Sequence, residues 1–284
     1  MSEGKADLTA DFTADFAELA PRERYKLLCA SVTPRPIALV TSVSPGGLVN
    51  AAPFSFFNVF SDEPALIVLG LQYKPGNDLK DTSRNIAATG EFVVNLVDEA
   101  LAEAMNICAI DVPPDVSEID AAGLSLLPGV SVAVPRIAQA PFALECRKQV
   151  TLSFAPTREL LIGEGVRIHA RAGLVVPKTL RVSMSDYKPV GRMFGDGYSR
   201  QGDRFDMRRE SYVEWVEKNG CSCSLPYSPE VRAHTPSASA PGGRPRSAPG
   251  RFPDTAPRSG RCNRGSPASR RRGIRRWRAA GRAG

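Results

Sequence analysis

A lysine, an acid and a threonine stand together at residues 80–82, before a segment with helical pattern that ends at Gly90. If a helix begins at Thr82, its free backbone N–H groups and the positive end of its dipole favour an anion. Lys80 adds a point charge, and Thr82 adds a hydroxyl donor. An ordinary helix cap with a solvated lysine is the commoner explanation of such a stretch in isolation. The cluster therefore indicates a phosphate-type site only in combination with other features.

A second candidate is the run NAAPFSFFN at residues 50–58. Small residues followed by proline let the backbone approach a flat ring, whose edge donors and acceptors suit backbone N–H and C=O groups. The alternative is a loop whose aromatic residues fill the core. Phe54, Phe56 and Phe57 cannot all point inward from one strand, because side chains alternate along a strand. We therefore predict that at least one of them meets a ligand or a partner subunit.

The third candidate is TPRPIALVTS at residues 33–42. Its simplest interpretation is a strand that follows a stiff Pro-x-Pro segment with fixed φ angles. The functional interpretation is that the hydroxyls and backbone amides at its end, at Thr41 and Ser42, face a ligand. For this run taken alone, the structural interpretation is favoured, because short motifs match by chance.

Around these clusters the sequence predicts many short strands and few helices. Apolar runs bounded by Gly and Pro predict strands at Ile37–Val43, returning as a hairpin through Leu48-Val49, and at Leu66–Leu69, Glu91–Val97, Ser131–Val134, Phe142–Phe154, Leu160–Ala170 and Leu174-Val175. Helices are predicted at Thr82–Thr89, capped by Asp81 or Thr82, at Glu99–Asn106, and at Arg208–Lys218. A doubly wound sheet would need helices between successive strands, and these are missing. We predict a mainly β (α+β) fold, a barrel with a few peripheral helices.

The basic charge of the chain is concentrated at one end. The formal net charge is +7, yet residues 220–284 contain 14 Arg, no Lys and 2 acidic residues, whereas residues 1–219 contain 23 Lys and Arg against 28 acidic residues. We expect a mobile lead-in at 1–20, one domain at 21–218, and a disordered Arg/Pro/Ala/Gly/Ser-rich tail at 219–284. The tail is either a basic extension or the product of a shifted reading frame. Because it lacks interleaved aromatics, nucleic acid is not its expected partner, although that alternative stays open.

Several classes of site are not expected. Six cysteines are scattered without a disulfide framework, and histidines are too few for a metal cluster, so no metal is predicted. The acidic N-terminus lacks a signal-peptide pattern, and no apolar run is long enough to span a bilayer. We expect a cytoplasmic protein with no membrane association.

Taken in order, the three clusters followed by EFVVN at residues 91–95 resemble the flavin reductase-like family, which includes flavoredoxin-type proteins. The similarity covers roughly residues 22–207. It implies a split β-barrel that binds FMN, with NADH or NADPH as co-substrate and hydride chemistry performed by the flavin. No catalytic side chain is required. It also implies an acceptor, which is free flavin, a partner oxygenase or another electron-acceptor protein.

The resemblance implies these cofactor contacts: Asn50, Ala51, Ala52, Pro53, Phe54 and Ser55 along the isoalloxazine and ribityl chain, Thr41 and Ser42 on the neighbouring strand, and Lys80, Asp81 and Thr82 at the phosphate. The family usually has a hydroxyl residue where this chain has Gly70. The aromatic surplus at residues 54–60, together with the resemblance, predicts a homodimer with the flavin near the subunit boundary. The alternative function is an FMN-holding electron carrier with little nicotinamide activity.

Overall fold

The structure is a computed structural model that describes residues 11–74, 76–110 and 117–219. Part of the predicted lead-in and nearly all of the predicted disordered tail lie outside these residues. Internal contacts divide the chain into two units, the first ending at Arg209 and the second beginning at Glu210. This division falls before the last helix, whereas the sequence placed the end of the domain at residue 218. The extent of the FMN-binding domain stays a prediction.

Helices and strands follow one another along the described residues as far as Asn219. The helices are α1 (Pro21–Ser31), α2 (Asp81–Thr89), α3 (Ala102–Ile107), α4 (Glu118–Ala121) and α5 (Tyr212–Asn219). The strands are β1 (Ala38–Val43), β2 (Val49–Phe54), β3 (Phe57–Asp62), β4 (Ala65–Gln72), β5 (Glu91–Leu96), β6 (Leu126–Leu127), β7 (Arg136–Ile137), β8 (Phe142–Ala155), β9 (Arg158–Ala170), β10 (Val175–Val176), β11 (Arg181–Val182), β12 (Val190–Arg192) and β13 (Tyr198–Arg200).

Seven of these strands form one antiparallel sheet in the order β2-β1-β5-β8-β9-β4-β3. The long β8–β9 hairpin joins its two halves. Three further pairs, β6–β7, β10–β11 and β12–β13, form small two-stranded sheets. The sequence-based prediction of a mainly β fold with few helices is therefore confirmed.

Apolar cores cover both faces of the central strands. On β1, Leu39 packs into a cluster with α3 and α4, whereas Ala38 and Val40 pack into a second cluster with β4, β5 and α2. Successive side chains of a strand point to opposite faces. A strand buried on both faces must therefore be apolar without interruption, and this explains the continuous run that begins at Ile37.

Some predicted elements differ from those observed. The run at residues 50–58, interpreted in part as a loop, forms the end of β2 and the start of β3. Residues 131–134 form no strand, because the N–H groups of Ser131 and Val132 donate to the buried Glu145 carboxylate instead of to a neighbouring strand. Lys80, not Asp81 or Thr82, is the N-cap residue of α2. The helix α1 was not predicted.

Candidate functional site

The end of β2 lies where three cavities adjoin. Pro53 and Phe54 line all three, whose volumes are about 420, 440 and 210 Å³. The 420 Å³ cavity is bounded by β2, β4 and the tip of the β8–β9 hairpin, and the 440 Å³ cavity by β2, the start of α2 and the segment after α3. Lys80 lines both of these larger cavities. Two of the three candidate regions found in the sequence, residues 50–58 and 80–82, thus meet in one place.

The start of α2 carries an excess of positive charge. Lys80 is half-buried, and no carboxylate of the described residues forms an ion pair with its ammonium group. The amides of the first turn that follows have no partner within the helix. An unpaired cation beside free amides at the positive end of a helix is a favourable place for a phosphate.

Asp81 is already neutralised by neighbouring cations. Its carboxylate accepts a hydrogen bond from Lys74 at 2.9 Å and from Arg84 at 3.0 Å. The bond from Lys74 is the main reason that the pKa of Asp81 lies below its ordinary value. Lys74 and Arg84 are thus paired with Asp81, whereas Lys80 is not, and a second carboxylate, that of Glu118, also lines the 440 Å³ cavity.

A buried hydrogen bond joins β2 to α2. Asn50 Nδ2 donates to Thr82 Oγ1 at 3.0 Å, and both residues line the 440 Å³ cavity. The bond fixes the strand carrying residues 50–55 relative to the helix start. Ala52, like Asn50 and Thr82, borders this cavity.

Three predicted contact residues lie behind the cavities. Ala51 is fully buried in the apolar core. Ser42 is fully buried and accepts from Asn85 Nδ2, and Thr41 donates to the carbonyl of Pro135 at 2.7 Å. The two hydroxyl groups connect β1 to α2 and to the segment before β7. None of the three side chains lines a cavity at the site. Contact between these residues and a flavin stays a prediction.

The three phenylalanines of the run have three different surroundings. Phe57 is in the core, Phe54 lines the cavities, and Phe56 is 46% exposed. The three side chains are therefore separated as predicted, and contact of one of them with a ligand or a partner subunit stays a prediction. Phe56 also packs on Gly70, where a Cβ atom would lie 3.0 Å from the Cβ of Phe56. This close approach explains a glycine at the position where a hydroxyl residue was expected.

Arg35 is a residue whose importance the sequence did not indicate. It is 7% exposed and has no carboxylate partner among the described residues. Its guanidinium donates to the carbonyls of Cys29, Val32 and Met193 and, at 3.4 Å, to the Ser55 hydroxyl. Arg35 thereby fixes the end of α1, the β12–β13 turn and the end of β2 around the site. Only long-range contacts reveal this role.

Other cavity residues come from segments that carry no motif. Cys108, Ala109 and Ile110, which follow α3, line the 440 Å³ cavity together with Glu118. Burial raises the pKa of the Cys108 thiol to about 11. The thiol is therefore protonated at neutral pH and is no nucleophile. In the 420 Å³ cavity, Tyr25 of α1 faces the β8–β9 tip.

Within residues 11–74, 76–110 and 117–219, no group of three or more His, Cys, Asp or Glu side chains could hold a metal ion. No helix in the same ranges is both long and apolar enough to cross a membrane. The arrangement suits an elongated ligand with an anionic end and a flat part, held mainly by backbone groups and by the Lys80 ammonium group.

The sequence matches the flavin reductase like domain over residues 30–191. The fold is similar to that of Pseudomonas fluorescens 2-nitrobenzoate 2-nitroreductase NbaA, with a TM-score of 0.66, 38% identity, and coverage of 71% of this chain and 98% of the other. It is equally similar to nitrilotriacetate monooxygenase component B from Bacillus cereus, with a TM-score of 0.66, 36% identity, and coverage of 70% and 99%. A protein with a split barrel domain from Shewanella frigidimarina, 19% identical over 69% of this chain and 96% of the other, has the same fold with a TM-score of 0.60. The predicted split barrel is thus confirmed.

Proposed function

Because this chain belongs to the flavin reductase like domain family, we propose that it binds FMN and moves electrons from NADH or NADPH through the flavin to an acceptor. A flavin-linked oxidoreductase follows from the family, and the choice of FMN and of a nicotinamide donor is the proposal. The observation that carries it is the position of Lys80. This unpaired cation lies at the start of α2, on the cavities that the end of β2 also lines.

The residues present suit FMN. Its phosphate dianion would be held by Lys80, by the first amides of α2 and by the Thr82 hydroxyl. The ring and ribityl chain would lie along residues 50–55, where backbone groups can meet the ring edge. The two larger cavities, about 420 and 440 Å³, are each within the range of roughly 300–1,000 Å³ that is typical of ligand sites.

A bound flavin would supply the hydride and electron chemistry, as cofactors of this kind do. The part played by the protein is binding and orientation. Lys80 holds the anionic end, the Asn50–Thr82 hydrogen bond keeps strand and helix at a fixed separation, and Phe54 shields one side of the cavity from water. We assign no catalytic side chain, because transfer to and from a flavin requires no protein acid or base.

We propose the electron acceptor by its chemical class. One relative is a component of a monooxygenase, and another is a 2-nitrobenzoate reductase. For this chain the corresponding candidates are a partner oxygenase that takes up reduced flavin and a small nitroaromatic compound. Free flavin is a third candidate.

The test begins with the purified full-length protein and FMN. We expect an FMN-type absorbance spectrum, tight binding in a titration, and prompt bleaching of the flavin when NADH or NADPH is mixed in by stopped flow. Binding without bleaching would favour the alternative function, an electron carrier that holds FMN. If FMN does not bind at all, the proposed function is wrong.

We also propose that the protein is a homodimer with the flavin near the boundary between subunits. Exposed apolar side chains of α1 and β3, among them Leu28, Val32 and Phe60, line a groove of about 410 Å³. We call this groove the α1–β3 surface. It shares Phe56 and Gly70 with the 420 Å³ cavity. A second copy of the chain is the proposed occupant, since symmetric pairs are the commonest soluble assembly.

A cytoplasmic location is part of the same proposal. Cys29, Cys108 and Cys146 are free and buried. Unpaired cysteines are usual in reducing compartments, where nicotinamide nucleotides are also available.

A further inference from the structure

The 210 Å³ cavity beside the flavin site has an unusual lining. It shares Pro53, Phe54 and Ser55 with the 420 Å³ cavity, and Arg192, Tyr198 and Asn106 supply its polar wall. No Asp or Glu lines it. Its volume is below the roughly 300 Å³ at which pockets for whole ligands begin, so it can receive one group of a larger molecule.

Arg192 has no anionic partner within residues 11–74, 76–110 and 117–219. Among the described residues no carboxylate forms an ion pair with its guanidinium, which instead lies over the Tyr198 ring with its carbon 4.5 Å from the ring centroid. Such stacking holds a guanidinium in place and leaves its edge N–H groups free to donate. A half-buried arginine with free donors on a small cavity favours an anion.

The position of Arg192 follows from the strand register. Arg192 and Tyr198 are cross-strand partners in the β12–β13 hairpin, so the two side chains lie side by side. The backbones of Arg35 and Arg192 exchange two hydrogen bonds, of 3.0 and 2.8 Å, which attach the hairpin to the segment before β1. The Tyr198 hydroxyl donates to Asn106 of α3 at 3.3 Å. Arg192 is thus held by its backbone and Tyr198 by its hydroxyl group.

The buried Arg35 adds to the positive potential. Its guanidinium is bonded to carbonyl groups and to the Ser55 hydroxyl, and it has no counter-charge among the residues that the structure describes. Arg35 is thus a second cation behind the cavity wall that Ser55 forms. Burial and the Cys29 thiol raise the pKa of Tyr25, which also lines this cavity, and the positive charges of Arg35 and Arg192 oppose that rise.

We propose that Arg192 binds an anionic group, a carboxylate or a phosphate, of the molecule that exchanges electrons with the flavin. The inference rests on the proposed function in that it names the ligand as the redox co-substrate. Two sources share this chemistry: the phosphates of a nicotinamide nucleotide, and the carboxylate of an aromatic acceptor. Arg192 acts here as a substrate-binding residue, distinct from the Lys80 cluster that holds the cofactor phosphate.

The test measures binding by isothermal titration calorimetry, on full-length protein with and without FMN. Three probes separate the sources: benzoate, its neutral isostere benzamide, and ADP-ribose, which carries the phosphates of the nucleotide but no reactive ring. In the Arg192→Gln variant we expect the dissociation constant of benzoate or of ADP-ribose to rise about tenfold or more, as for the loss of a charge-assisted hydrogen bond. Benzamide binding and the dissociation constant of FMN should not change.

Matched variants make the result specific. Arg200→Gln removes an arginine of the same hairpin that is 81% exposed and pairs with Glu99, so all three probes should bind as before. Arg192→Lys should retain part of the affinity. Tyr198→Leu removes the ring beneath the guanidinium and should weaken the anionic probes, which keeps the test decisive if Arg192→Gln does not fold.

The probe that loses affinity identifies the source of the anion. The proposal is wrong if benzoate and ADP-ribose both bind unchanged to Arg192→Gln, if benzamide is weakened as much as benzoate, or if FMN is the ligand that loses affinity. Failure of the flavin proposal would be seen separately, as absence of FMN binding to the wild type. The titrations without FMN would still test the anion site in that case.

Discussion

The free charge of Lys80 leads to a direct prediction about FMN. The side chain makes no capping hydrogen bond to α2, so Lys80→Ala should leave the helix intact. Loss of a charge-assisted hydrogen bond to the phosphate should weaken FMN binding by about 1–3 kcal/mol, which corresponds to roughly 5- to 150-fold. Fluorescence titration of FMN into both proteins measures this change.

Two controls accompany the Lys80 variant. Lys80→Arg keeps the charge and should retain most of the affinity. Riboflavin, which lacks the phosphate, should bind the wild type and Lys80→Ala equally well. An unchanged dissociation constant for FMN in Lys80→Ala would show that the phosphate lies elsewhere.

The sequence identified several polar residues that line the cavities. It did not identify the residues of other segments that complete the cavity walls. Lys80 and Thr82 were found because their types fit an anion site at a helix start, and Asn50 because it begins a run whose small residues and proline suit a flat ring. Thr41 and Ser42 have suitable types too, yet tertiary contacts use their hydroxyls inside the protein. A cavity wall built from distant segments, as with Arg35, has no local pattern by which it could be recognised.

Single elements of the sheet are constrained by close packing, most clearly at Gly163 on β9. A Cβ atom there would lie 2.5 Å from Cζ of Phe92, a fully buried ring on β5. Overpacking of this kind costs about 1–3 kcal/mol, so Gly163→Ala should lower the free energy of unfolding by that amount. Urea denaturation gives the value.

A neighbouring glycine provides the control for Gly163. At Gly165 the nearest atom to a Cβ is Ile67 Cδ1 at 3.4 Å, an ordinary contact. Gly165→Ala should therefore be neutral or slightly stabilising. Adding Phe92→Leu to Gly163→Ala should recover part of the loss, because the smaller side chain relieves the clash. Equal effects of the two alanine substitutions would contradict this explanation.

The segment before β7 depends on one buried acid. Glu145 accepts hydrogen bonds from the N–H groups of residues 130–132 and from His169 Nε2. Burial raises the pKa of Glu145, but these hydrogen bonds outweigh it and hold the pKa at about 2. The ionised carboxylate therefore stabilises the fold above the ordinary carboxyl pKa of about 4.3, and this contribution disappears as the pH falls towards 2.

The pH dependence can be tested with Glu145→Gln. At pH 7 the variant should be less stable than the wild type by about 1–3 kcal/mol, because an amide cannot replace all the hydrogen bonds that the carboxylate accepts. The difference should shrink between pH 5 and pH 3, since in this range the carboxyl of the unfolded wild type takes up a proton while the folded state stays ionised, and glutamine has no such group. Glu99→Gln, at a more exposed ion pair, is the control. A difference that stays constant over this range would contradict the prediction.

The same segment shows why some elements could not be predicted. Ser131–Val134 has a strand-like composition, but Glu145, more than ten residues away in sequence, takes its N–H groups. The strands that were predicted well, such as β8 and β9, follow one another in the chain and pair with each other as a hairpin. Local pattern is sufficient where pairing is local, and it fails where a distant side chain competes for the backbone.

At the scale of the whole molecule, the main feature is the exposed apolar α1–β3 surface, which we propose is covered by a second copy of the chain. A mainly β barrel could be predicted from the pattern of short strands, and the family resemblance implied that the barrel is split. The position of the α1–β3 surface could not, because α1 was not predicted and residues 50–58 were interpreted in part as a loop. Large exposed apolar patches usually mark interaction sites. The basic segment at 220–284 lies outside the described residues, and its disorder and partners stay predictions.

The proposed homodimer would use this surface, and it is tested on the full chain. Phe60 on β3 is 69% exposed, so its contribution to the fold is small. Light scattering should give about twice the monomer mass of 30.5 kDa for the wild type, and the monomer mass for Phe60→Asp, because a buried charge at a two-fold contact is costly. Val176→Asp, at a half-exposed valine of β10, should stay dimeric. If the flavin lies near the boundary, Phe60→Asp should also bind FMN more weakly. A wild-type monomer that binds FMN tightly would contradict the proposed homodimer.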